Sequence, residues 1–261
     1  MHDDGDRNQM KVLITGGAGF IGSHLAERHL SMGDQVAIID NLSTSVITNV
    51  QHFEGNHNFT CRIDDILNVE VMHELIEDCD LIYHLAAAVG VEYVLENPLQ
   101  TLTTNIRGTE IVLELANQKK KRVVLASTSE IYGKKNGHVP FREDSDRILG
   151  PTTVVRWSYS TTKAVDELLA LAYWREKRLP TVIVRPFNVV GPRQSGAYGM
   201  VLPRFVTAAL ANQPLTVHDD GQQHDVHHHH HHEPDEHVQN HRAASAASRP
   251  IGHLLAPPGS A

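Results

Sequence analysis

The sequence of 261 residues is short of several things, and each shortage removes a class of protein. It has only two cysteines, Cys61 and Cys79. They are too few for a disulfide framework and lack metal-ligand spacing, so both read as reduced, buried thiols. No apolar run approaches the roughly 18 residues that span a bilayer. Residues Met1 to Met10 are polar, unlike a signal peptide. There is no basic excess either: 23 Lys and Arg stand against 31 Asp and Glu, for a net charge of −8. That balance argues against a broad phosphate-backbone surface, although an acidic protein can still hold one anionic ligand in a local basic pocket. The expectation is a cytoplasmic protein that engages neither membrane nor nucleic acid.

What is present is ordinary globular material, 41% hydrophobic and 21% charged, which excludes wholesale disorder and a collagen repeat. Histidine is the exception. Of 19 histidines, 11 fall in the last 44 residues: His218, His224, His227 to His232, His237, His241 and His253.

From Lys11 to about Val217 short β-rich runs alternate with longer segments of helical period, the pattern of repeated βαβ units and an α/β parallel sheet. Strands are expected at Lys11 to Thr15, Gln35 to Asp40, Phe59 to Ile63, Leu81 to Leu85, Arg122 to Ser127 and Thr181 to Arg185, and their apolar character suits strands covered on both faces. Helices are expected at Ile21 to Ser31, Val69 to Glu77, Leu99 to Ala116, Tyr159 to Arg178 and Leu202 to Asn212. After Gly221 neither period persists, so residues 221–261 read as a disordered or weakly structured tail.

Directly after the first strand comes Thr15-Gly16-Gly17-Ala18-Gly19-Phe20-Ile21-Gly22, then a helix. Glycines there permit a tight turn and let the backbone approach a pyrophosphate at the helix N-terminus. Asp40 ends the second strand, 18 residues after Gly22. A carboxylate at that place can accept from a ribose diol and would repel a 2′-phosphate, which favours NAD over NADP. Asp40 before Asn41 could also simply start a turn. Tyr159 and Lys163 lie four apart on one helix face, and an ammonium near a phenol lowers its pKa toward a usable acid/base range. The fifth strand runs into Ser127-Thr128-Ser129-Glu130, which brings hydroxyls and a carboxylate to the sheet edge where ligands bind.

The set Gly16-x-x-Gly19-x-x-Gly22, Asp40, Asp65-Ile66, His84-Leu85-Ala86-Ala87, Asn105, Ser127-Thr128, Tyr159-x-x-x-Lys163 and Arg185-Pro186-Phe187-Asn188-x-x-Gly191-Pro192 resembles the extended short-chain dehydrogenase/reductases. Within them the chain is similar to the NAD-dependent nucleotide-sugar epimerases, dehydratases and decarboxylases, over about residues 11 to 221. The resemblance implies a Rossmann-type doubly wound sheet over 11–185, the start of an incomplete substrate-binding subdomain over 186–220, and the tail beyond. It implies NAD as cofactor, held by Gly16, Gly19, Phe20, Ile21, Gly22, Asp40, Asn41, Asp65, Ile66, Leu85, Ala86, Ala87, Asn105, Tyr159 and Lys163. Tyr159 would take the sugar C4 hydroxyl proton, Lys163 would hold the nicotinamide ribose, and Thr128 would bond O4. Asn188 would touch the substrate diphosphate, and Glu92 and Tyr93 would reach the sugar. Asn105 is equally readable as a buried polar support. No metal is assigned, and a UDP-sugar is the implied substrate. A homodimer through the long helix carrying Tyr159 and the helix before it is also implied.

The Thr128-Ser129-Glu130 triplet resembles that of UDP-glucuronate decarboxylases and GDP-mannose 4,6-dehydratases, with Glu130 either an acid/base or a loop support. The stretch Phe141-Arg142-Glu143-Asp144 to Arg156-Trp157-Ser158-Tyr159-Ser160 is similar to the decarboxylase domain of lipid A aminoarabinose biosynthesis, but its Arg-Trp run also resembles proteins described only as epimerases, and Trp157 could equally be helix-start packing. The chain departs from the family after Asp220-Gly221, where a Gln-x-Arg-x-Phe segment is expected and Gln222-Gln223-His224-Asp225-Val226 stands instead. Three readings of the histidine run remain open: a shifted frame or truncation, a metal-binding tail, and an appended tag.

Overall fold

The computed structural model describes residues 8–88, 91–134, 140–196 and 201–215, and for residues 91–93 the backbone only. The His-rich stretch 221–261 lies outside the described residues. Six parallel strands, β1 (Lys11–Thr15), β2 (Gln35–Asp40), β3 (Phe59–Ile63), β4 (Leu81–His84), β5 (Arg122–Ala126) and β6 (Thr181–Val184), form one sheet in the order β3-β2-β1-β4-β5-β6. The connecting helices are α1 (Phe20–Ser31), α2 (Val69–Glu77), α3 (Val91–Glu96), α4 (Pro98–Gln118) and α5 (Trp157–Lys177), and α6 (Val201–Leu210) follows β6.

Alternation along β1 explains how the sheet is covered on both sides. Leu13 points into one core with Met72, Ile76, Ile82, Val112 and Leu125, while Val12 and Ile14 point into the opposite core with Ala26, Val36 and Ile38. Two cores of this kind need helices on both faces, which is the doubly wound arrangement. The strand order reverses between β1 and β4, and in such sheets the crevice outside the carboxyl ends at that reversal receives ligands.

Three expectations change. Coverage on both faces holds for the central strands and fails at the edges, where Val182 and Val184 of β6 are exposed. Cys61 is exposed for the same reason, because β3 is the other edge strand, whereas Cys79 is buried. Burial pushes the Cys79 thiol up to about 12, so it stays protonated. The third change is α3, a six-residue helix that the sequence pattern did not announce. Among the described residues no helix is long and apolar enough to cross a membrane.

Candidate active site

The chain leaves β1 at Thr15 and turns at Gly16, whose φ of 69° is the left-handed conformation glycine adopts without strain. The Gly16 amide donates to Ile39 O at 2.8 Å and Gly19 N to Gly16 O at 3.1 Å, closing a tight loop. Helix α1 then starts with Gly19 as its N-cap and no side-chain capping bond, so its first-turn amides are available to an anion. A Cβ on Gly22 would lie 2.3 Å from Gly16 O, which explains glycine at the third position. Asp40 serves this loop as well as facing the cavity. Its Oδ2 accepts from Ala18 N at 3.0 Å and its Oδ1 from Leu42 N at 2.9 Å and Ser45 Oγ at 2.6 Å, so the turn-forming reading is seen directly. Asn41 Nδ2 donates to Asp65 Oδ2 at 2.8 Å, joining the ends of β2 and β3.

The loop after β4 is held from below. Thr15 Oγ1 accepts from the amides of Leu85 and Ala86 at 3.2 and 3.1 Å. With those lone pairs used, its proton points to His84 Nδ1 at 2.9 Å, and His84 carries its own proton on Nε2, donating to Thr109 Oγ1 at 3.1 Å. Burial, reinforced by Lys163, holds the imidazole down to about 3, so it is neutral. Asn105 Oδ1 accepts from Ala88 N at 2.7 Å and its Nδ2 donates to Thr162 Oγ1 at 3.3 Å. It is buried support for this loop and does not line the cavity.

A cavity of about 410 Å³ opens over these elements. Of the expected residues, Gly16, Gly19, Phe20, Ile21, Gly22, Asp40, Asn41, Ile66, Leu85, Ala86, Ala87, Thr128, Tyr159 and Asn188 line it. Asp65, Asn105, Glu130 and Lys163 are not among the residues that line it. Glu92 and Tyr93 fall in α3, but their side chains lie outside the description.

Thr128 caps a short 3-10 turn (Ser129–Tyr132) by accepting from Glu130 N at 3.2 Å, and Ser160 Oγ donates to Glu130 O at 2.8 Å, fixing the start of α5 to that turn. Burial raises the Glu130 carboxyl, with Arg156 opposing. The Tyr159 phenol departs from expectation. Burial pushes it above its ordinary value, and the Glu130 and Asp166 carboxylates push it further. The ammonium expected to lower it is engaged elsewhere: Lys163 Nζ donates to Asp166 Oδ2 at 2.8 Å, both groups buried.

Sequence reading missed a second ionic cluster. Arg185 holds Glu167 through two bonds, Nε to Oε1 at 2.8 Å and Nη2 to Oε2 at 2.7 Å, while its Nη1 donates to Tyr132 Oη at 3.2 Å. Glu167 also accepts from Ser127 Oγ. The ends of β5 and β6 are thereby tied to α5, beside Thr128. Its signals were present: Glu167 stands four residues after Lys163, and Arg185 opens the quoted Arg-Pro-Phe-Asn run. Arg193, also missed, lines the cavity and pairs with Glu27 of α1 at 2.6 Å. Trp157 is helix-start packing: it lies against Gly150, where a Cβ would sit 2.2 Å from Nε1, with the Arg156 guanidinium 5.1 Å from its ring.

Comparison with known proteins agrees with this geometry. The family described as NAD dependent epimerase/dehydratase matches residues 12–228. The chain belongs to that family. Among the relatives of this epimerase/dehydratase chain is a UDP-N-acetyl-alpha-D-glucosaminuronate decarboxylase of Bacillus cytotoxicus, 45% identical over 214 residues, covering 82% of the chain and 65% of the relative. UDP-glucuronic acid decarboxylase 1 of Xenopus tropicalis is 36% identical over 84% of the chain and 50% of the relative. The chain thus spans only half to two-thirds of these curated relatives. A solved structure of UDP-glucuronic acid 4-epimerase from Bacillus cereus, in complex with UDP-glucuronic acid and NAD, superposes with a TM-score of 0.72 at 36% identity, covering 82% of this chain and 67% of that one.

Proposed function

We propose that this chain binds NAD+ at the carboxyl edge of its sheet and oxidises C4 of a UDP-sugar whose C5 carries a carboxylate, which is then lost as CO2. The observation that carries this reading is the placing of Thr128 and Tyr159 together on the wall of a glycine-turn cavity, with the Glu130 carboxylate near enough to Tyr159 to act on its phenol. The residues fit the cofactor: a Cβ at Gly22 would fill the cradle, the first amides of α1 lack a side-chain cap, and Asp40 at the cavity wall would repel a 2′-phosphate. Bound NAD+ supplies the hydride acceptor at C4.

In this scheme Tyr159 accepts the C4 hydroxyl proton and Thr128 fixes O4. The ketone at C4 makes the C5 carboxylate that of a β-keto acid. When the bond from C5 to the carboxylate carbon breaks, CO2 departs and the electron pair moves into the C4 oxygen as an enolate. Glu130, protonated more readily than an ordinary carboxyl, returns a proton to C5. A UDP-sugar without that carboxylate would instead be reduced again from the other face, giving a C4 epimer, and the 36% likeness to a 4-epimerase favours this second reading. A 4,6-dehydratase would use the same Thr128 and Glu130. Residues 11–185 serve as the cofactor part and 186–220 as the beginning of the substrate part, with Asn188 on the diphosphate and Glu92 and Tyr93 toward the sugar. Exposed Leu99 and Leu102 of α4 and Leu168 of α5 support a homodimer through those helices.

Incubating folded protein with NAD+ and UDP-glucuronate and following the nucleotide-sugar by mass spectrometry is expected to show loss of CO2. Tyr159→Phe should cut that conversion about 100-fold or more while NAD+ binding stays near wild type. Full turnover by the variant would remove Tyr159 from the role. NAD+ binding without any sugar conversion would leave a non-catalytic NAD-binding protein.

A further inference from the structure

Lys163 and Asp166 form a buried ion pair on one helix, with side chains 3% and 0% exposed. Nothing in the Tyr-x-x-x-Lys pattern requires that carboxylate. Its Oδ1 has no hydrogen-bond partner among the described residues, although the group is fully buried. Burying a carboxylate incompletely satisfied is costly, and such a group calls for a reason. Each packed element presents something to it. Helix α4 offers the Thr109 hydroxyl, β4 the neutral His84 behind Thr109, α5 the Lys163 ammonium and Glu167, and the 3-10 turn Glu130 across Tyr159. Glu167 is itself occupied by Arg185 and Ser127. Lys163 is thus the only cation that bonds Asp166 among the described residues, and no effect of Lys163 on the Tyr159 phenol stands beside those of Glu130 and Asp166.

We propose that Asp166 is a positioning residue for Lys163: it holds the ammonium one turn along α5, away from the Tyr159 hydroxyl, until the ribose hydroxyls of a bound dinucleotide take the ammonium over. This rests on the NAD-dependent reading given above. Before binding, Tyr159 stands among carboxylates and keeps its proton. On binding, the ammonium turns toward ribose and phenol, and only then does the phenol become a usable base. Oxidising power and basicity then arise together, and the empty protein carries no reactive phenolate. The step is a change of hydrogen-bond partner; no covalent bond is made or broken.

The test is a double-mutant cycle in cofactor-free protein, with the onset of Tyr159 ionisation followed by NMR of 13C-labelled tyrosine and its resonance assigned through Tyr159→Phe. Asp166→Asn frees the ammonium and should lower that onset by about one pH unit or more. In a Lys163→Met background the same change should move it less than half as far. Equal shifts in the two backgrounds, or none, would overturn the proposal, because a loosened helix or the bare loss of a negative charge acts without Lys163. Should the variants fail to fold, the wild-type protein still decides. The Lys163 Nζ resonance in 15N-lysine-labelled protein should move when calorimetry shows NAD+ bound, and a resonance unmoved at saturation would overturn the hand-over. Calorimetry showing no NAD+ binding would sink the function instead, and leave the phenol titration to decide the coupling of Asp166 to Lys163.

Discussion

Residues 11–184 and residues 186–215 differ in what holds them in place. In the first region Leu13, Ile14, Ile38, Ile82 and Leu125 are wholly buried between sheet and helices. In the second, Val189, Val190, Val201, Leu202, Val206 and Leu215 are exposed, Leu210 is 85% exposed, and α6 buries no residue at all. The sheet region is fixed by apolar burial, while the strip that completes the cavity, Pro186 to Ser195, packs one side chain, Phe187, on Ile131, Tyr132 and Ala164 and is otherwise held by polar ties. Arg185 grips Glu167, Arg193 grips Glu27, and His24 Nε2 donates to Pro192 O at 3.0 Å. A cavity with one wall on a core and the other held largely by ion pairs can keep one side rigid and the other adjustable.

The comparison breaks most sharply at the core. Leu13→Ala, at a position of β1 that is 0% exposed and clustered with Met72 and Ile76 of α2, should cost about 2–5 kcal/mol in denaturant unfolding. Loss of much less would mean the sheet is not where stability resides. At the other end of the scale, Val206→Ser on α6 should change unfolding by about 0.5 kcal/mol or less, because 56% of Val206 is already exposed. A cost as large as that of Leu13→Ala would show that something covers α6 in solution.

The sheet was legible because buried parallel strands read as apolar runs, and five of the six helices, together with the glycine turn, follow from local punctuation. Three strands coincide end to end with their expected spans, Lys11–Thr15, Gln35–Asp40 and Phe59–Ile63. What was not legible depends on neighbours distant in sequence. Whether β3 lies at an edge, and so whether Cys61 is covered, is settled by strand order rather than by its own five residues. Helix α3 is too short to show a period, and Pro98 behind it reads as the start of α4. At the site, the Tyr159 and Lys163 spacing was readable, but the pairing of Lys163 with Asp166 and the raised Tyr159 phenol depend on how deeply these groups are buried. Asp40 shows the same limit, since one side chain both braces the glycine turn and faces the cavity.

The central claim is that the sheet region holds a dinucleotide with Asp40 beside its adenosine ribose. Calorimetric titration of the protein with NAD+ and with NADP+ tests it most directly. The account predicts saturable NAD+ binding and an affinity for NADP+ lower by about tenfold or more, since a 2′-phosphate would meet the Asp40 carboxylate. Equal affinities, or no binding of either, would contradict it.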